Sequence, residues 1–121
     1  MSRVLVVDDE PDIVSLVAMC LDPLGLGVVQ ARGLASALEA ARQDSVGLVL
    51  LDLALGDEDG LEILPFLRAE PALSGVPVVA FTAHDSRRRE AIASGVDSFL
   101  GRPFAAAQLR TMVEKLWPRE H

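Results

Sequence analysis

The 121-residue chain predicts an α/β fold, a five-stranded parallel sheet with helices on both faces. Three observations predict it. Short apolar runs alternate five times with segments whose apolar residues recur at helical spacing. Half of the residues are hydrophobic, ample for the core of one domain spanning 1–121. The first, third, fourth and fifth runs end in or lead into polar residues, as in open parallel sheets that bind ligands at the strands' carboxyl ends.

Taken in order, Val4 to Val7 reads as a strand covered on both faces. Ile13, Leu16, Val17, Cys20 and Leu24 carry a first helix, broken at Gly25 and Gly27. Val28 and Val29 suggest a second strand, and Leu34, Ala37, Leu38 and Ala41 a second helix. Leu48 to Leu51 forms a third strand. Asp59 is placed to cap a third helix bearing Leu61, Leu64 and Leu67, with Pro65 inside it, where it removes a donor and is expected to bend the helix. Val76 to Phe81 is a fourth strand. Asp85 or Ser86 caps a weak fourth helix, poor in apolar surface at Ala91, Ile92 and Ala93 and ended by Gly95. Ser98 to Leu100 makes a short fifth strand. Leu109, Met112, Val113, Leu116 and Trp117 stripe a last helix that Pro118 closes.

Charge and composition narrow the function. The formal net charge of −7 argues against a nucleic-acid surface, which needs a basic stripe. The run Arg87, Arg88, Arg89 is first of all a solvated helix face and secondarily a partner-binding patch. One cysteine, Cys20, excludes a disulfide framework and a cysteine metal site. No apolar run approaches a membrane span and the start does not resemble a signal peptide, so a cytoplasmic location is expected.

The chemistry gathers at the strand ends. Strand one ends in Asp8, Asp9, Glu10; strand three in Asp52; strand four in Thr82; Arg102 and Pro103 follow strand five. Singly these have plain structural readings: Asp8 and Asp9 as caps before Pro11, Asp52 as a turn residue, Thr82 and Arg102 as ordinary strand-end and surface residues. Side by side, three aspartates repel and need a cation, and an all-oxygen set suits Mg²⁺. Thr82 adds a hydroxyl donor and Arg102 a fixed charge, a set suited to a phosphoryl group carried on a carboxylate.

These motifs resemble the receiver domain of two-component response regulators across essentially the whole chain. "VLVVDDEPDI" resembles the family's opening strand and acidic pair, and "LVLLDLALGDEDG" its phosphoacceptor strand and loop. "VVAFTA" resembles its hydroxyl-bearing strand, and "GVDSFLGRPF" its last strand and lysine–proline loop. The resemblance implies the flavodoxin-like receiver fold with strand order 2-1-3-4-5. It implies that Asp52 accepts a phosphoryl group from a phosphohistidine on a sensor histidine kinase or histidine phosphotransfer protein. Mg²⁺ would be held by Asp9, by Asp8 largely through water, by Asp52 and by the backbone carbonyl of Ala54. Thr82 would bind the phosphoryl group beside the small Ala83, and Phe99 would be the switch aromatic that follows Thr82. The bond before Pro103 is commonly cis in the family. His84 and Ala54 stand where the family tunes dephosphorylation. An output domain or target protein and a homodimer through the fourth helix, fifth strand and fifth helix are further possibilities that the family carries. Such a module is a carrier of information and no enzyme beyond its own phosphorylation and dephosphorylation.

Two features depart from the family. Arg102 replaces the usual lysine, and a forked guanidinium does not substitute freely for an ammonium. Gly56 and Asp57 replace the usual proline–glycine; Gly56 is expected to loosen the loop, and Asp57 and Glu58 to add negative charge at the phosphate entrance. Slower phosphorylation or weaker phosphate retention follows as an expectation. The alternative reading is a degenerate receiver acting as a phosphorylation-independent interaction module. An aspartyl phosphatase of the dehalogenase-like type is disfavoured, because its second aspartate would fall at Ala54.

Overall fold

The computed structural model describes residues 2–82 and 85–117. Its central sheet joins β1 (Arg3–Val7), β2 (Val28–Ala31), β3 (Val46–Asp52), β6 (Val78–Thr82) and β7 (Ser98–Gly101), all parallel, in the order β2-β1-β3-β6-β7. Counting sheet strands alone, that is the expected 2-1-3-4-5. The remaining strands, β4 (Ala54–Leu55) and β5 (Glu58–Asp59), pair antiparallel in a small hairpin outside the sheet.

Alternation along the strands divides the core into two layers. Val4, Val6, Leu48, Leu50, Val79 and Phe81 pack with Val17 and Leu21 of α1 (Pro11–Leu21) and with Leu109 and Val113 of α5 (Ala106–Leu116). Leu5, Val7, Val49, Leu51 and Ala80 pack instead with α2 (Leu34–Gln43), α3 (Gly60–Ala69) and Ala91 of α4 (Arg88–Ala93). With both faces covered, every residue of β3 is buried, Asp52 included. A polar group is therefore held rigidly at the carboxyl end of a strand that cannot shift register without moving the whole core.

Helix boundaries follow local chemistry. The first helix was expected to reach Leu24 but ends at Leu21, because Pro23 lacks the N–H that would continue the ladder. A 3₁₀ turn at Asp22–Leu24 follows and closes on Gly25 at φ +72°. Asp59 caps α3 as expected, accepting from the Leu61 N–H at 2.9 Å, and the helix continues through Pro65. The fourth helix is short, with Ala91 as its buried residue and Ile92 53% exposed. Arg87 occupies its N-cap position, while Asp85 and Ser86, the expected caps, lie in a preceding 3₁₀ turn.

At the far end of β3, Gly47 lies under Trp117: a Cβ there would stand 2.7 Å from the indole ring. Ala83, His84 and Pro118 lie outside the described residues. Among the described residues no helix is long and apolar enough to cross a membrane.

Candidate functional site

The carboxyl ends of β1, β3 and β6 bring Asp8, Asp52 and Thr82 together as the buried polar residues of the described chain. Burying carboxylates this deeply is costly unless something compensates. Part of the compensation is local. Asp8 Oδ1 accepts the Glu10 N–H at 2.8 Å, and Asp52 Oδ1 accepts the Ala54 N–H at 3.0 Å. The rest is incomplete: Asp8 Oδ2 is buried with no hydrogen-bond partner among the described residues.

The electrostatics register that deficit. Burial pushes the Asp8 carboxyl up from 3.8 to about 6, against the Glu10 N–H, and the Asp52 charge adds to the rise. Burial also raises Asp52, opposed by the Ala54 N–H and the Arg102 guanidinium, while Asp9 and Glu10 push it further up. One carboxylate oxygen each from Asp8, Asp9 and Glu10 lies within 4.8 Å of the others. Glu10 was not among the expected ligands. Its place next to the acidic pair is the sequence signal that identifies it. Asp52 stands outside this trio, its Oδ2 3.5 Å from Arg102 Nη2. An unpartnered buried oxygen beside two further carboxylates, with no nitrogen or sulfur donor in the trio, fits a hard divalent cation.

Arg102 reaches the site from the loop after β7, through a cis bond to Pro103 and a backbone N–H donated to the Thr82 carbonyl at 2.9 Å. Its guanidinium lies over the Phe81 ring, 5.1 Å from the centroid, and its Nε is buried with no partner among the described residues. Stacking and ion pair together fix the plane of the fork. Phe99 is buried on β7, and Arg88 lies over its ring at 5.8 Å. Beside the site, Glu10, Ile13, Leu16, Arg102, Pro103 and Phe104 line an open depression of about 460 Å³.

The loop after Asp52 corrects two expectations. Gly56 does not loosen it. With φ +65° it takes the first central position of the two-residue turn joining β4 to β5, where a positive φ is required, and so makes a tight hairpin possible. Glu58 does not face the phosphate entrance: its Oε1 accepts the Leu34 N–H at 3.3 Å, satisfying an unpaired donor at the start of α2. Asp57 is exposed at the turn. Gly60 is the other special position, since a Cβ there would lie 2.8 Å from the Leu53 Cα.

The run Arg87 to Arg89 is also more than a solvated face. Arg87 pairs with both oxygens of Asp59, at 3.1 and 3.0 Å, and with Glu90 at 2.8 Å. Only tertiary structure brings Arg87 and Asp59 together, so spacing gave no warning.

Known proteins match the chain over most of its length. The family model for the response regulator receiver domain matches residues 4–114. The sensor protein GacS of Pseudomonas syringae pv. syringae is 36% identical over 118 residues, covering 93% of this chain and 13% of its own length. The probable transcriptional regulatory protein TcrX of Mycobacterium tuberculosis is 37% identical over 108 residues, covering 88% of this chain and 45% of its own. The chain thus spans less than half of either relative. Among solved structures, the receiver domain of NtrX from Brucella abortus superposes with a TM-score of 0.84 at 34% identity, covering 94% of this chain and 97% of that one. The receiver domain of a sensor histidine kinase from Pseudomonas aeruginosa, with a magnesium ion coordinated in its active site cleft, gives 0.82 at 25% identity, covering 95% of this chain and 96% of that one.

Proposed function

Because the chain belongs to the response regulator receiver domain family of two-component signal transduction, we propose that it accepts a phosphoryl group on Asp52 and changes its interactions in response. The observation that carries this reading is the buried carboxylate pair Asp8 and Asp52 at adjacent strand ends, with one oxygen of Asp8 left unpartnered.

Asp8, Asp9, Asp52 and the Ala54 carbonyl are the groups that would hold Mg²⁺, with Glu10 close by. When bound, the ion supplies charge neutralisation for both nucleophile and phosphoryl oxygens. The residues do the rest. The Ala54 N–H holds one Asp52 oxygen and leaves Oδ2 as the nucleophile. Attack on phosphorus forms the P–O bond as the P–N bond to a partner's imidazole breaks, and the imidazole leaves with a proton. Arg102, stacked on Phe81 with Nη2 3.5 Å from Asp52 Oδ2, offers its guanidinium charge to a phosphoryl oxygen. Thr82 takes another oxygen, and Phe99 follows its movement, so that phosphorylation shifts a population between two arrangements.

The depression beside Arg102 is apolar at Ile13, Leu16 and Phe104, and Arg102, which lines it, reaches to 3.5 Å from Asp52, so it offers a place for the phosphodonor protein to dock. That donor is a sensor histidine kinase or a histidine phosphotransfer protein, acting in the cytoplasm. An output domain, a target protein or a second copy of the chain would read the switch.

The Asp52–Arg102 ion pair favours a second reading, a module that binds partners without phosphate, because it already neutralises the phosphoacceptor at rest. Acetyl phosphate and Mg²⁺ decide between them. A phosphate-mass adduct in the wild-type chain that is lost in Asp52→Asn supports the first reading. No adduct and no Mg²⁺ binding would leave only the second.

A further inference from the structure

Arg87 joins three parts of the fold. It stands at the N-cap of α4. Its Nη1 donates to Asp59 Oδ1 at 3.1 Å and to the Leu53 carbonyl at 3.4 Å, and its Nη2 donates to Asp59 Oδ2 at 3.0 Å. Asp59 meanwhile caps α3 through the Leu61 N–H. Leu53 lies between Asp52 and Ala54, and its carbonyl also accepts the Gly60 N–H at 3.0 Å. One guanidinium therefore spans the start of α4, the start of α3 and the peptide that follows the phosphoacceptor. Among the described residues α4 buries Ala91 alone, so such polar contacts carry much of its docking.

We propose that Arg87 is a positioning residue: it fixes the Asp52–Ala54 peptide through Leu53 and Asp59, so that cation binding at the site and docking of α4 form one coupled equilibrium. The inference rests on the site reading above and deepens it, adding the route by which the site communicates with α4. Burial opposes ionisation of Asp59, yet its hydrogen bonds to Arg87 and Leu61 hold its carboxyl below the ordinary value, in keeping with a formed fork. Linkage makes the coupling reciprocal: releasing α4 weakens the cation, and the cation tightens α4.

Titrating the full chain with Mg²⁺ alone by calorimetry, and following backbone amide exchange in α4 with and without Mg²⁺, tests this. Arg87→Met is expected to weaken Mg²⁺ binding about fivefold or more, the low end of typical coupling between sites. In the wild-type chain Mg²⁺ slows exchange in α4, and in Arg87→Met that slowing disappears. Arg87→Lys recovers only part of the affinity, because an ammonium cannot fork across Asp59 and Leu53. Arg88→Met, which loses only the contact over Phe99, leaves Mg²⁺ affinity unchanged. Faster α4 exchange in Arg87→Met with Mg²⁺ affinity within twofold of wild type would reduce Arg87 to a helix anchor and overturn the proposal. An equal loss in Arg88→Met would overturn the route through Leu53. Failure of the wild-type chain to bind Mg²⁺ at all would instead sink the site reading itself.

Discussion

Asp8→Asn is expected to stabilise the metal-free protein at neutral pH. In the folded chain the Asp8 carboxyl is pushed up to about 6 by burial, whereas its ordinary value is 3.8. Between those values the folded state holds a proton that the unfolded state has released, so stability falls as pH rises. The penalty is absent below about pH 3.8, grows through the window and is complete above about pH 6. At roughly 1.4 kcal/mol per pH unit, the rise from 3.8 to about 6 corresponds to about 3 kcal/mol. Asparagine keeps the acceptor that takes the Glu10 N–H but carries no charge to bury. Urea denaturation of both chains in the presence of a chelator, from pH 4.5 to 8, measures the difference. The variant should gain on the wild type by about 2 kcal/mol across that range, since about 1 kcal/mol of the penalty is already present at pH 4.5, and most of the gain comes by pH 6.5. Asp52 is raised in the same direction in both chains, and because its charge adds to the rise of Asp8, the difference between the chains includes the repulsion between the two carboxylates. Added Mg²⁺ should reverse the order above pH 6.5 by binding the ionised wild-type cluster. A pH slope as steep in Asp8→Asn as in the wild type would refute the assignment of the penalty to Asp8.

Other substitutions probe the supporting parts. Gly60→Ala pushes a methyl against the Leu53 backbone and should cost about 1–3 kcal/mol in urea denaturation, the range for overpacking. Glu58→Gln weakens the acceptor at the start of α2 and should cost about 0.5 kcal/mol, seen as a lower urea midpoint at an unchanged slope. Arg102→Lys gives up the planar stack on Phe81 and the resting grip on Asp52. It should label faster with acetyl phosphate and keep the phosphoryl group longer in a mass-spectrometric time course. An unchanged time course would show that the fork has no bearing on the rate.

What the sequence disclosed follows from how locally each feature is encoded. The sheet strands were legible because doubly covered strands are continuous apolar runs, and Asp52 was conspicuous because a charge ends one of them. Asp8 and Thr82 were found by the same rule of strand ends. The hairpin around Gly56 was misread because two-residue strands carry no periodicity, and a glycine that permits a tight turn looks in sequence like one that loosens a loop. Glu58 was misassigned because proximity along the chain to Asp52 suggested proximity in space, whereas its side chain turns to α2. Arg87 was read as solvated because its partners Asp59 and Leu53 come from another segment, and no spacing rule links them.

The contact between Gly47 and Trp117 makes the chain its own spectroscopic control. Trp117 is the single tryptophan, and it packs at the opening end of β3, five residues before Asp52. At about 3.3 Å per residue that separation is roughly 16 Å along a buried strand. Intrinsic fluorescence excited at the indole therefore reports unfolding of the sheet and the docking of α5, and it stays silent while ions or acyl phosphates come and go at the other end. A quench on phosphorylation would mean that the strand itself had transmitted the event along its length.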